Sequence, residues 1–559
     1  MYDIIVATMY VDVSSVQQNG KSYTRYLLRE SYREGRQVKH RTIANLSQCS
    51  PKEIEAIRLA LRHKEELRAL GSLPHSLEMR QGPSIGALWV VYEVARQLGI
   101  DKALGPGQEG RLALWQVSAR VIDQGSRLSA VCLAMAHGAC DVLGLERFNE
   151  EDLYQNLDWL CAHQAEIEDR WFRSRAIHSS SSLFLYDVTS SYLEGEQNAL
   201  AAFGYNRDGK RGKPQVIIGL LGDGEGRPLS IELLAGNTQD PKTFISQIKK
   251  VAKRFGGKEV TLVGDRGMIK SQQIEALGDQ QFHYITAITK PQIEGLLKSG
   301  VLQIGLFDET LAEVSTEEGI RYILRRNPER VKQIARTREE KYQTLAQAVA
   351  AHNPYLSAHP RARVEVALRT LESRSQKLRI AQWIKLRPEG REILLTKDPQ
   401  TLAEIATLDG RYVLKTDLSE QTAAKAVVHD RYKDLALVKW ASRESKTVSL
   451  EMRPIYVRRE SRTRGHALVV MLAYLIIQEL ARRWQPLDLT VQEGLNQLAT
   501  LCMVEIPVKE QIPYHQIPTP RDTVQHLLDA AGVHLPKVLP SRGVVVTTKR
   551  KLPDRRKQK

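Results

Sequence analysis

The sequence predicts an α/β protein in which a mixed sheet carries the chemistry and a helical domain precedes it. Three observations lead there. "SLFLYDVTSSYLEG" is an apolar strand running into Asp187, "KPQVIIGLLGDGEGRPLSIELLAGN" is strand, Gly-rich turn and strand, and "EVTLVGDRGM" is a buried strand ending at Asp265. Three strands in a meander, then a helix, then alternating strands and helices form a mixed unit. A doubly wound dinucleotide fold would place a Gly-rich turn directly after its first strand, and none is present.

Along the chain, residues 1–47 read as strands and a turn, "YTRYLLRESYREGRQVKHRTIANL", turning at Glu34-Gly35 and carrying Arg25, Arg29, Arg33, Arg36, Lys39 and Arg41. These can touch phosphates or simply solvate a hairpin face. Residues 51–71 form a charged helical run, and "GSLPHSLEMRQGPS" reads as a linker. From Ile85 to about Asp169, Leu, Val and Ala recur at helical steps. After the three strands of the meander, "DPKTFISQIKKVAKRFGG" starts as a helix with Asp240 as its capping residue and Pro241 in the first turn. A helix over 269–278 and the strand "HYITAIT" follow Asp265.

Residues 291–408 interrupt this unit. Here a basic strand leads into a charged helix, with eight basic and three acidic residues from Arg321 to Lys341. "REILLTKD" and "GRYVLKTDL" restore strand texture. In the next helix Tyr432, Leu435, Lys439, Ser442 and Lys446 share one face of a 3.6-residue period, with a lysine at its centre. "ALVVMLAYLIIQEL", Ala467 to Leu480, suits a buried helix, being shorter than the roughly 20 residues a bilayer needs. Another helix is expected around 489–504, and the basic end "TTKRKLPDRRKQK" reads as disordered.

The 559 residues hold 81 Lys and Arg against 65 Asp and Glu, a formal charge of +16 that favours a polyanionic partner, nucleic acid before membrane. Five scattered cysteines suggest reduced thiols, and Cys132, His137 and Cys140 match no strong zinc spacing. The start, "MYDIIVATMYVDVSS", does not read as a signal peptide. No aromatic-rich RNA-recognition motif is present.

Asp187 and Asp265 each end an apolar run, so the core supports the residue while its charge reaches the sheet rim. Two such carboxylates on adjacent strands can share divalent cations, which activate a hydroxyl and stabilise a leaving oxygen in phosphoryl displacement. Aspartates also end strands as plain turn formers.

Taken together, "FLYDVTSSYLEG", "GYNRDGKRGKPQVIIGLL", "LLAGNTQDPKTF", "LVGDRGM", "DGRYVLKTDL", "YKDLALVKWASRESKT", "LEMRPIYVR" and "GHALVVMLAYLI" resemble the DDE transposases of bacterial insertion sequences. The resemblance is to the branch with a Tyr-Arg-Glu-Lys signature and a β-strand insertion in a ribonuclease-H-like core, and it covers nearly the whole chain. It implies a nuclease and strand transferase that recognises double-stranded DNA with terminal inverted repeats and joins the cut ends to target DNA. It also implies Mg²⁺ or Mn²⁺ in a two-ion site, a homodimer assembled on DNA, no membrane, and a bacterial cytoplasmic, nucleoid-associated location. The implied organisation is 1–72, basic hairpin and helix contacting DNA; 84–178, helical domain; 181–290 and 409–484, the two parts of the core; 291–408, a β-rich insertion holding the transposon end; 485–542, a helical C-terminal region; and 543–559, a basic tail.

By this resemblance Asp187 and Asp265 are the catalytic, metal-holding aspartates, Tyr432 the signature tyrosine and Lys446 the terminal lysine, in contact with DNA. Leu435 stands at the arginine position and Lys439 at that of the third carboxylate, while Ser442 replaces an expected aromatic residue. An ammonium has no lone pair and repels Mg²⁺. Glu444 is a weak alternative, about 140° further round the helix, and Glu451 lies past the expected helix end. Arg266, Arg453, Arg458 and Arg459, with Arg462 and Arg464, are the further phosphate-contact candidates. Trp440 reads as a core residue in preference to a base-stacking wedge.

Overall fold

The computed structural model describes residues 8–18, 21–34, 37–62, 80–176, 183–195, 197–205, 207, 209–251, 260–266, 268–446, 450, 452, 455–506, 514–546 and 548. Two compact units emerge, one of residues 1–82 and 504–516, the other of residues 83–503 and 517–559.

In the first unit β1 (Thr8–Gln18), β2 (Lys21–Glu34) and β3 (Gln37–Asn45) make an antiparallel meander, with Val11 opposite Leu28 and Glu30 opposite Arg41. Cross-strand pairs compensate part of its charge, Arg29 to Asp12 at 3.0 Å and Arg41 to Glu30 at 2.5 Å. Helix Pro51–Arg62 follows, and the turn residues Gly35 and Arg36 lie outside the described residues. Part of the expected linker is instead a strand, β4 (Arg80–Ser84).

In the second unit the expected helical stretch is present from Gly86 to Ala176. Its core is completed by a helix distant in sequence, Glu460–Trp484, from which Leu468, Val469, Leu472, Ile476 and Leu480 are fully or almost fully buried. That helix is apolar and long enough to cross a membrane, yet 78% of its apolar window is buried in the fold. Gly465 explains the close packing, since a Cβ there would come within 2.1 Å of Leu157 O on helix Glu150–Ala162. Two buried polar side chains bridge elements: Gln116 Nε2 donates to Asn156 Oδ1 at 2.8 Å, and Glu168 accepts from Ser230 Oγ at 2.9 Å and Ile231 N at 3.2 Å, joining the helices to the sheet.

The sheet is built on β5 (Leu183–Tyr192), β6 (Gln215–Asp223), β7 (Pro228–Ala235), β8 (Thr261–Gly264) and β9 (His283–Ala287). β5, β6 and β7 form the expected antiparallel meander, while β8 runs parallel to both β5 and β9. β10 (Ala312–Ser315), β11 (Arg321–Arg326) and β14 (Arg411–Thr416) extend it to eight strands in the order β10-β11-β14-β9-β8-β5-β6-β7. This is a mixed α/β architecture consistent with a ribonuclease-H-like core bearing an insertion. Beyond its strands the insertion has helices Pro328–Ala358 and Val364–Leu378 and the hairpin of β12 (Ile384–Glu389) and β13 (Glu392–Lys397), gathered on their own core around Leu345, Leu371, Ile380 and Ile393.

Two expectations change in detail. Asp240 opens helix Asp240–Lys250 without capping it; its carboxylate is taken by Arg207, at 2.8 and 2.7 Å. The helix expected over 489–504 ends at Leu498, and β15 (Cys502–Ile506) follows, paired with β16 (Tyr514–Gln516).

Candidate active site

Parallel pairing puts Tyr186 of β5 opposite Gly264 of β8, so the next residue of each strand, Asp187 and Asp265, stands at the same level of the sheet. Eight of the ten β5 residues are buried, and Asp187, expected at the strand's end with its charge at the rim, instead sits mid-strand at 7% exposure because β5 continues to Tyr192; Asp265 begins the loop after β8 and is partly exposed, as expected. Helix Lys425–Lys446 lies across these strands, burying Val428, Leu435, Val438, Ala441 and Ser442. Leu435, at the expected arginine position, is thus a core residue.

The opposite pattern of the two carboxyls follows from that placement. Burial pushes Asp187 up to about 6, with the Asp265 charge adding to it, while the Lys439 charge, the nearby Ser442 hydroxyl and the Val188 N–H pull it back. The pull from Ser442 is weak, because its buried Oγ makes no formed hydrogen bond. Burial also acts to raise Asp265, but it is outweighed by Lys439, by the Arg266 backbone N–H and by the Tyr432 hydroxyl, which together hold this carboxyl below the usual range. Lys439 Nζ donates to Asp265 Oδ2 at 2.7 Å, Arg266 N to Oδ1 at 2.7 Å and Tyr432 OH to Oδ1 at 3.4 Å. Tyr432 and Lys439, two helical turns apart, therefore reach the same carboxylate.

Lys446 is also brought to this strand. Its ammonium donates to Thr189 Oγ1 at 2.6 Å and to Ser190 O at 3.1 Å, two and three residues past Asp187. Glu444 is not brought in; it lines a separate groove with Leu437, Trp440, Tyr474 and Gln478. Trp440 is 59% exposed, so it is not the core residue expected from sequence: the buried face of its helix runs through Val438, Ala441 and Ser442, and Trp440 falls outside it.

Residues 11–71 match the N-terminal domain of IS1634 family transposases, and residues 178–396 match the transposase DDE domain. The chain carries a transposase DDE domain. The DDE match contains Asp187 and Asp265 and stops before the helix that bears Lys439. No curated protein matches the chain. Among solved structures, a cryo-EM piggyBac transposase synaptic complex with hairpin DNA aligns over 74% of this chain and 75% of that one, at 9% identity and a TM-score of 0.33, a likeness too low to place any residue.

A DDE domain implies metal-dependent chemistry in general. Mg²⁺ needs several hard oxygen ligands, with carboxylates supplying the charge. Among the described residues no group of three or more His, Cys, Asp or Glu side chains is placed to hold a metal ion. The Lys439 ammonium already supplies the positive charge beside Asp265. As they stand, these residues do not fit a two-ion site.

The arginine candidates divide. Arg266, Arg458 and Arg459 are exposed, and Arg453 lies outside the described residues. Arg464 is engaged by Glu460 at 2.8 Å, the acidic neighbour visible in the sequence, and Arg462 by Asp158 and Glu151, both at 2.9 Å, which the sequence did not point to. In the insertion Arg321 pairs with Glu313, Lys332 with Glu329, Arg336 with Glu340 and Arg338 with Asp409. With Arg326 at 3.7 Å from Asp308, five of the eight basic residues from Arg321 to Lys341 have an acidic partner.

Proposed function

We propose that the protein is a DNA-binding protein of transposase descent, recognising the terminal repeats of its element, in which metal-dependent strand cleavage and transfer are impaired at Lys439. The observation that carries this reading is the 2.7 Å contact from Lys439 Nζ to Asp265 Oδ2. An ammonium donates and cannot ligate, so the helix that should complete a metal cage closes it. Binding to double-stranded ends and to target DNA, as a homodimer assembled on DNA in the bacterial cytoplasm and nucleoid, completes the proposal. It is supported by the two matched domains and the +16 charge, with the exposed Arg266, Arg458 and Arg459 and the half-buried Tyr432 as the contacts. Lys446 would reach phosphate only by giving up its bonds to Thr189 and Ser190.

The second reading, an active transposase, is favoured by the level placement of Asp187 and Asp265 on adjacent parallel strands. One assay tests what the two readings share and a second separates them. Duplex carrying the terminal repeats should be shifted in a gel in preference to random duplex at physiological salt, equally by the unsubstituted protein and by Asp187→Ala/Asp265→Ala. A supercoiled plasmid bearing the repeats should stay intact in Mg²⁺ or Mn²⁺. Cleavage that Asp187→Ala abolishes would establish the active reading, and loss of end preference would overturn both.

A further inference from the structure

After β5 the described loop residues 197–205, 207 and 209–213 include aromatic rings held in solvent. Phe203 is 71% and Tyr205 82% exposed, the two most exposed large hydrophobic side chains among the described residues. The backbone beneath them is firmly fixed. Gln215, 1% exposed, donates Nε2 to Tyr205 O at 3.1 Å and to Gly236 O at 2.9 Å, and Gly236 N donates to Leu200 O at 2.9 Å. A Cβ on Gly204 would come within 2.3 Å of Gly236 O, and one on Gly236 within 1.9 Å of Gln215 O, so only glycine permits this packing. The rings therefore cannot be drawn inward by a local collapse of the loop.

Cations accompany the rings. The Arg207 guanidinium lies 5.8 Å from the Tyr205 ring centre while its Nη2 donates to both carboxylate oxygens of Asp240, the Lys210 ammonium lies 5.7 Å from the Tyr192 ring centre, and Arg211 is exposed. The loop is also tied to the candidate active site. Arg207 N donates to Ser190 Oγ at 3.1 Å, and the carbonyl of the same serine accepts from Lys446 at 3.1 Å. Ser190 stands three residues beyond Asp187 on β5, so loop, strand and the end of helix Lys425–Lys446 meet at one residue.

We propose that this loop binds unpaired nucleotides of a DNA strand lying across the candidate active site. Phe203 and Tyr205 stack on bases, Arg207 orients the tyrosine ring, and Lys210 and Arg211 face phosphates. Base faces are open only where the duplex is unpaired, so the rings distinguish single from double strands and tolerate any sequence. The inference rests on the DNA-binding reading above and adds the form of DNA held at this edge of the site.

The test is fluorescence anisotropy of the full chain with a labelled oligothymidine of about 20 nucleotides, long enough for one such site, and with a blunt duplex carrying the terminal repeats. Phe203→Ala/Tyr205→Ala should lower affinity for the single strand about tenfold or more and leave duplex affinity nearly unchanged. Phe203→Trp/Tyr205→Trp should restore single-strand binding. Equal losses on both DNAs, or no loss on the single strand, would overturn the proposal. Failure of the unsubstituted protein to bind either DNA removes the reading beneath it. Duplex binding without single-strand binding removes this inference alone.

Discussion

Lys439→Glu reverses the charge at the centre of the candidate active site. At about 4 Å and an effective dielectric near 20, a unit ion pair is worth ~4 kcal/mol. The side chains of Lys439 and Asp265 are 43% and 38% exposed, which discounts the native pair to ~1 kcal/mol or less. Exchanging that attraction for repulsion among three carboxyls should destabilise the metal-free variant by ~1–2 kcal/mol, within the ordinary range for a single substitution. The same three carboxyls now offer oxygen ligands, and Mn²⁺ at about 100 times its dissociation constant would return ~2.7 kcal/mol. Scanning calorimetry with and without Mn²⁺ should show a lower Tm without metal, recovered by metal, against a flat response in the unsubstituted protein. Asp187 adds a pH signature. Its carboxyl is already pushed up to about 6 by burial, and loss of the Lys439 charge raises it further, so the metal response should strengthen as pH rises above 7. Equal Mn²⁺ stabilisation of both proteins would refute this account of Lys439, as would a folded variant with no response at any pH.

Three further outcomes are expected. Gly465→Ala should cost about 1–3 kcal/mol, read as a lower denaturant midpoint, because its methyl would press on the Leu157 carbonyl inside a well-packed helix pair. Hydrogen bonds and charge from Arg482 and Arg483 outweigh burial and hold Glu479 down at about 2, so its stabilisation is present above pH 4.5 and lost as pH falls toward 2; Glu479→Gln should flatten that part of a Tm-against-pH curve. At pH 8, mass spectrometry after brief alkylation should find exposed Cys132 modified and Cys140 intact, because burial pushes the Cys140 thiol up to about 11.

What the sequence made legible was local. Asp187 and Asp265 stood out because an apolar run ending in a carboxylate has few explanations, and Lys439 because helical spacing ties it to Tyr432 and Lys446. Less legible was what depends on distant partners. That β10, β11 and β14 would join the main sheet beyond β9 is settled by pairing across residues far apart in the chain. Trp440 read as core from its residue type alone, which cannot say which face of its helix is buried. The acidic partners of Arg462 come from a helix about 300 residues earlier. The exposed rings of Phe203 and Tyr205 gave no signal, since aromatic residues beside a strand usually read as core.

The helix Glu460–Trp484 has a consequence for biogenesis. It fills the core of helices that leave the ribosome long before it does, and at roughly 5–20 residues per second the delay is on the order of tens of seconds. Until then the surfaces that Leu468, Leu472 and Ile476 will cover stay open, so nascent chains truncated before residue 460 are the species for which chaperone binding and aggregation compete.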